Sequence, residues 1–321
     1  MKLSHEQHDR ARGAVLGSAV GDALGAPYEF GCRAVGADGP AMLGGGLGNF
    51  APGEWTDDTS MAWCVLDVAA TVHDIRTEEG LTQIAHRFRG WYDSGPADIG
   101  NQTKAVLRAA GPAPTGSTMS ASAYDLHART GHTAGNGSLM RTAPVALHYL
   151  DDPAALVQAA RRVSALTHYD PQAQDACALW SLAIRHAILH AELDLRSGLE
   201  HLDPQAASQW AQYIDDAEQH QPGMFRPNGW AVTALQAAWS AVFHTPEPPD
   251  DPARHLADAL TAAIEIGDDT DTVAAIAGGL LGARWGTSAV RPEWRRILHG
   301  YPGITGDDLI ALSDGALARG T

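Results

Sequence analysis

The 321 residues predict an all-α fold. Apolar positions recur with helical spacing through alanine-rich stretches, notably 173–190, 228–243 and 253–266. Strand alternation is hard to find. The breaks are loops rich in Gly and Pro at 36–53, 111–117, 221–229 and 245–252, and none separates a compositional change that would mark a domain boundary. Residues 1–321 therefore read as one compact multi-helix domain with long loops on one face, and 45% hydrophobic content supplies its core.

Residues 1–12 are polar with mixed charge. The apolar stretch that follows, 13–26, carries Asp22 and is too short to span a bilayer, so neither a signal peptide nor a membrane helix fits. Within it Gly13, Gly17, Gly21 and Gly25 recur every fourth residue, on one helix face. Gly278, Gly282 and Gly286 repeat the spacing. A glycine inside a helix costs about 1 kcal/mol relative to Ala, so each series calls for a compensating contact. Close approach of another backbone would provide it and give a tightly packed centre.

Two acid-and-threonine clusters occupy 53–59 (Gly-Glu-Trp-Thr-Asp-Asp-Thr) and 267–272 (Gly-Asp-Asp-Thr-Asp-Thr), each before an apolar run, 61–70 and 273–283. Carboxylates this dense repel one another unless a cation sits among them, and neither cluster contains Lys or Arg. Hard divalent ions such as Mg²⁺ or Mn²⁺ take carboxylate and hydroxyl oxygens. A single cluster would be explained by helix capping, in which Asp and Thr satisfy free N–H groups and complement the dipole. Two such clusters point to both roles at once, capped helix ends whose spare oxygens converge on metal.

The composition narrows the chemistry. A net charge of -16 without a Lys/Arg stripe argues against a nucleic-acid surface. Lysine occurs only at positions 2 and 104, which limits any mechanism that needs a catalytic Lys. Cys32, Cys64 and Cys177 match no zinc or redox spacing and are expected to be buried free thiols in a reducing compartment, the cytoplasm.

Other motifs fail on their details. Residues 269–273 fit the Asp-x-Asp-x-Thr/Val pattern of haloacid-dehalogenase-type phosphatases, but no Lys follows position 104. An EF-hand is excluded by Val273 and Ala274, where Asp/Asn and Gly belong. The glycines at 44–48 precede no Gly-Lys-Ser/Thr, Ser138 lacks a Gly-x-Ser-x-Gly elbow, and His186 and His190 lack the adjacent Glu of a zinc protease. His168 opens a helix, where it lines a pocket or Thr167 or Asp170 acts as a cap.

Five segments in order resemble the motifs of the ADP-ribosylglycohydrolase family, that of the dinitrogenase-reductase-activating glycohydrolase: 17–30, 55–59, 136–144, 167–168 and 267–272. The resemblance runs from about Gly13 to Trp294. It implies an all-α fold with two Mg²⁺ or Mn²⁺ ions and hydrolysis of the bond between ADP-ribose and an acceptor. Matched residue by residue, it makes Thr56, Asp57, Asp58, Asp269, Asp271 and Thr272 the metal ligands, places Glu29 at the rim, and makes Asp57 or Asp58 the base that takes a water's proton. Asn136, Gly137, Ser138, Met140, Gly100 and His168 would contact ADP-ribose, and Arg141 would either help them or, the favoured role, be locked in a structural ion pair. The second Gly usual in the last motif is Asp268 here, which adds a charge beside the ligands.

Residues 98–103 resemble the matching segment of the bacterial arginine-specific branch. Asp98 could pair with a guanidinium there, or cap the helix that follows. ADP-ribosyl-arginine on protein is thus the expected substrate and ADP-ribose a product. Behind it stand O-linked ADP-ribose on serine, O-acetyl-ADP-ribose, ADP-ribosylated nucleic acid or small molecules, and a non-catalytic ADP-ribose-binding role.

Overall fold

The computed structural model describes residues 2–248 and 250–320. The chain folds as helices α1 (His5–Gly25), α2 (Asp57–Ala69), α3 (Glu78–Asp93), α4 (Asn101–Ala110), α5 (Gly116–Thr130), α6 (Ala143–His148), α7 (Pro153–Ala165), α8 (Pro171–His190), α9 (Pro204–Gln219), α10 (Ala231–His244), α11 (Pro252–Glu265), α12 (Thr270–Trp285) and α13 (Pro292–Ile297). A two-residue antiparallel pair, β1 (His299–Gly300) with β2 (Ile304–Thr305), leads into α14 (Gly306–Gly320). The three alanine-rich stretches become α8, α10 and α11, and the four predicted loops stay irregular apart from short turns and the first residues of α5 and α11.

The centre is the antiparallel pair α1 and α12. From Gly13 to Gly25 and from Thr270 to Ala283 every residue is buried, the state of a helix enclosed on all sides. A Cβ added to Gly13, Gly17 or Gly21 would lie 2.3, 2.3 or 2.0 Å from the carbonyl oxygens of Gly282, Gly278 and Ala274, and one on Gly25 would lie 2.5 Å from the Cα of Asp271. Backbone thus rests on backbone along the whole interface, as the glycine spacing predicts. Gly286 differs from its series: it lies past the end of α12 at φ +81°, a conformation that favours Gly.

The other helices cover this pair. α8, α10 and α11 pack on α12, while α14 and α8 pack on α1, and α2 touches both. Most of the buried apolar side chains form one cluster from Ala11 to Leu317. Among the described residues no helix is long and apolar enough to cross a membrane. Cys64 and Cys177 are buried free thiols as expected, but Cys32 is exposed because it follows the turn that ends at Gly31.

Replacing Gly17 with Ala should destabilise the protein by more than the 1–3 kcal/mol, roughly, of ordinary overpacking, because the obstructing atom belongs to a rigid backbone. Gly279→Ala, on the same helix pair, meets nothing nearer than 3.6 Å and should be neutral or gain up to about 1 kcal/mol of helix propensity. Denaturant melts of the two variants check this; equal losses would show that the glycine interface is not the tight element.

Candidate metal centre

The pairing of α1 with α12 decides where the acidic groups meet. Thr270 Oγ1 donates to the Gly25 carbonyl (2.9 Å), which joins the end of one helix to the start of the other. α2 arrives from the side, and Asp22 of α1 anchors it by accepting from the Thr56 and Thr59 N–H groups (both 2.9 Å) and from Thr59 Oγ1 (2.6 Å). Asp22 thus caps α2 from outside. Neither Thr56 nor Asp269, the residues preceding α2 and α12, caps its own helix with its side chain. The capping half of the sequence reading fails at those two residues, and their oxygens are free for other work.

Asp22, Asp58 and Asp271 place one carboxylate oxygen each within 4.8 Å of the others, and Glu29, Asp269 and Asp271 do the same. Asp271 belongs to both groups. Thr56 Oγ1 bridges the two sequence clusters, 3.1 Å from Asp58 and 3.3 Å from Asp271. One buried carboxylate oxygen in each group, Asp58 Oδ1 and Glu29 Oε2, has no hydrogen-bond partner. Desolvating a carboxylate oxygen without a donor is expensive, so both oxygens suit a bound cation or a proton. Glu29 is buried rather than at the rim, because the backbone turns inward there: Phe30 takes φ +44° and its N–H donates to the Asp268 carbonyl (2.7 Å).

Burial, reinforced by the neighbouring acids, raises every carboxyl pKa in the set. Glu29 is pushed up to about 9 by burial first and by Asp269 and Asp98 next. Asp57 is pushed up to about 7 by burial and then by Asp98 and Asp22. Asp58 and Asp271 stand well above the usual carboxylate range for the same reasons, and Asp22 and Asp269 are raised by burial against their hydrogen bonds. The Thr272 hydroxyl partly offsets the shift at both Asp58 and Asp269.

A cavity of 370 Å³ opens over these acids. It is lined by Glu29, Asp57, Asp98, Gly100, Asn136, Gly137, Met140, His168, Asp269, Asp271 and Thr272, all singled out in the sequence. Thr56 and Asp58 lie beneath, each 1% exposed. Ser138 faces the core instead, its hydroxyl accepting from Ser164 Oγ (2.9 Å) and Cys177 Sγ (3.4 Å). Asp98 is half-buried at the wall and accepts from the Ile99 N–H, while Gly100 takes the position before α4, so Asp98 is no helix cap.

Opposite the acids, Asn136 Nδ2 donates to Asp269 Oδ2 (2.7 Å). The His168 ring packs on Gly137, where an added Cβ would lie 3.1 Å from it. His168 precedes α8 rather than opening it, and Asp170 is the cap, accepting from the Gln172 N–H. Burial, and then Arg141, holds His168 neutral. Arg141 can only donate, and it donates to Thr167 Oγ1 (2.8 Å). The same hydroxyl lies 2.8 Å from His168 Nδ1 and fixes the orientation of the ring. Among the described residues Arg141 meets no carboxylate, so the expected ion pair does not form; it is held instead by the Gly137 and Val163 carbonyls and lies 4.5 Å from the Phe88 ring centroid.

Sequence reasoning missed two residues. Asp22 left a signal, a lone acid within an apolar helix. Asn228 left none, because Asn between Pro and Gly reads as a plain turn. Fully buried, it accepts from the Asp269 N–H (3.0 Å), donates to the Gly267 carbonyl (3.0 Å) and shapes the second acidic loop. Asp268 sits in that loop at φ +59°, which explains why Gly suits the position, and its charge turns outward to Arg226 (2.6 and 3.1 Å) rather than toward the presumed ligands.

Comparison with known proteins finds relatives along nearly the whole chain. Residues 3–321 match the family profile described as ADP-ribosylglycohydrolase. The ADP-ribosylarginine hydrolase Tri1 of Pseudomonas putida (strain GB-1) is 34% identical over 89% of this chain and 73% of its own length. The ADP-ribosyl-[dinitrogen reductase] glycohydrolase of Rhodospirillum rubrum is 30% identical over 89% of each. A solved structure described as an ADP-ribosylglycohydrolase-related protein complex superposes with a TM-score of 0.73 at 28% identity, covering 99% of this chain and 100% of that one.

A carboxyl whose pKa is higher folded than unfolded stabilises the fold below its unfolded value and loses that contribution as pH rises through the folded one. For Asp57 the loss runs from the usual carboxyl range to about 7, and for Glu29 to about 9. The protein in chelator should therefore melt at progressively lower temperature from pH 5 to pH 9. Glu29→Gln, which cannot ionise, should flatten the slope. Thermal melts across that range check it, and a melting temperature that climbs toward pH 9 would contradict it.

Proposed function

The chain belongs to the ADP-ribosylglycohydrolase family and is a glycosidase acting on ADP-ribose, and on that premise we propose that it uses two divalent ions, Mg²⁺ or Mn²⁺, to release ADP-ribose from modified arginine on protein. The observation that carries the metal half is the pair of overlapping carboxylate groups, each with one orphaned buried oxygen. One ion among Asp22, Asp58 and Asp271 and another among Glu29, Asp269 and Asp271, with Thr56, Asp57 and Thr272 nearby, would offset the repulsion that burial intensifies. Bound there, the ions supply positive charge that fixes ribose hydroxyls and acidifies water.

The remaining roles fall to the chain's own side chains. Asn136, Gly137 and His168 line the cavity where ribose or pyrophosphate would lie; Asn136 has given both amide hydrogens, to Asp269 and to the Asn228 carbonyl, so its part is to hold Asp269, and the His168 ring offers the ligand a polar edge. Asp57 is better placed than Asp58 to serve as base, because it opens into the cavity while Asp58 is enclosed. Water adds to the anomeric carbon, its proton passes to Asp57, and the electrons of the C–N bond leave on the guanidine nitrogen, which regains that proton. Arginine as acceptor is supported by the relative named an ADP-ribosylarginine hydrolase and by Asp98, an acid at the cavity wall whose lining holds no Lys or Arg. A reducing cytoplasm fits the free thiols and is the proposed location.

The direct test is hydrolysis of ADP-ribosyl-arginine, ADP-ribosyl-serine and O-acetyl-ADP-ribose with Mg²⁺, with Mn²⁺ and with EDTA; turnover in EDTA would remove the metal from the reading. Asp271→Asn breaks both carboxylate groups at once. It should lower kcat by more than about 100-fold, beyond the usual effect of residues that only orient a ligand, and shrink the metal-induced rise in melting temperature. Asp98→Ala should lower kcat/KM for ADP-ribosyl-arginine by about 1.5–3 kcal/mol, the size of a charged hydrogen bond, and affect O-linked substrates much less. Equal losses on both substrate types would make Asp98 a general structural or catalytic residue.

A further inference from the structure

A second cavity, of 440 Å³, lies beside the first, and Asp57 and Asp98 line both. Its outer side is built by the strand pair. The His299 N–H donates to the Gly53 carbonyl and the Trp55 N–H to the His299 carbonyl (both 3.0 Å), so β1 is laid along the loop that delivers Thr56 and Asp57. Only Gly fits at position 300, where a Cβ would lie 2.4 Å from the Trp55 indole nitrogen. The turn between the strands carries Tyr301 into the lining, its ring set edge-on against Trp63 at 5.5 Å.

The chemistry of this lining is one-sided. It combines the rings of Trp91 and Tyr301 with the carboxylates of Glu54, Asp57 and Asp98, and it contains no Lys or Arg. A planar cation suits both halves, since a guanidinium stacks on aromatic faces and pairs with carboxylates. A glycosidic bond reaching across the shared wall would join a sugar in the first cavity to its acceptor in the second.

We propose that the second cavity is the acceptor subsite, in which Tyr301 stacks on the guanidinium-bearing side chain and Glu54 adds to the negative field that draws it in. This rests on the arginine reading above and adds to it the residues that select the leaving group. The pocket ends in an exposed rim at Ala97, where the acceptor's own backbone would exit.

Steady-state hydrolysis of ADP-ribosylated agmatine, with free ADP-ribose as product inhibitor, tests the assignment. Tyr301→Leu should raise KM about ten-fold, the loss expected on removing a stacked cation, and Tyr301→Phe should restore it. Ala97→Arg, at a solvent-exposed position and so safe for the fold, should raise KM by a similar factor through like-charge repulsion. The inhibition constant for ADP-ribose should not move in any of the three. An unchanged KM in Ala97→Arg and Tyr301→Leu, with the wild type active, would overturn the subsite alone; an inhibition constant rising in step with KM would reassign the cavity to the nucleotide. Wild-type protein that cleaves O-acetyl-ADP-ribose but not ADP-ribosylated agmatine would remove the arginine reading and this inference together.

Discussion

The closeness of α1 to α12 is the constraint from which the rest of the molecule follows. At Gly25 the backbone of one helix comes against the Cα of Asp271 in the other, so the acid is placed by steric contact of main chain on main chain rather than by a flexible side chain. Asp22, one turn earlier on α1, then fixes α2 through three hydrogen bonds and brings Thr56, Asp57 and Asp58 to the same point. The acidic clusters lie more than 200 residues apart in sequence. A single packed interface closes that distance.

Holding so many carboxyls together in a dry place is costly, and the structure shows how the cost is distributed. Asp22 is satisfied by α2, and Asp269 by Asn136 and by its own loop. Asp58 and Glu29 each retain an oxygen that no group among the described residues satisfies. Stability is thereby conceded within the acidic set itself, the usual pattern for a preorganised site. Behind them the guanidinium of Arg141, fully buried against carbonyls and the Phe88 ring, holds the 136–141 turn in place without neutralising any of the acids.

Much of this was legible in the sequence because it rests on local signals. Helical periodicity gave α8, α10 and α11 nearly to the residue, and the four-residue glycine spacing announced a close backbone contact. The acid clusters announced themselves by charge density without counter-ions. What stayed hidden depended on partners remote in the chain. Thr56 looked like a helix cap, and only the arrival of Asp22 from α1 shows that the cap comes from elsewhere. Glu29 looked peripheral because the left-handed turn at Phe30 that buries it depends on a hydrogen bond to Asp268. Asn228 and Tyr301 sit in segments with turn composition, and nothing local distinguishes them from ordinary loop residues.

The glycine ladder also raises a question of register. A run of small residues at every fourth position is nearly periodic under translation: sliding α12 by one step would set Gly17, Gly21 and Gly25 opposite Gly282, Gly278 and Ala274, all still small. Apolar packing alone therefore distinguishes poorly between neighbouring alignments. The choice falls to the polar link at the ladder's end, the Thr270 hydroxyl on the Gly25 carbonyl. A slip of one step would carry Asp271 about 6 Å along the axis, at 1.5 Å per residue, and take it out of reach of both Asp58 and Glu29. Thr270 is thus an alignment pin, and the acidic motif that contains it also specifies how the two central helices mate.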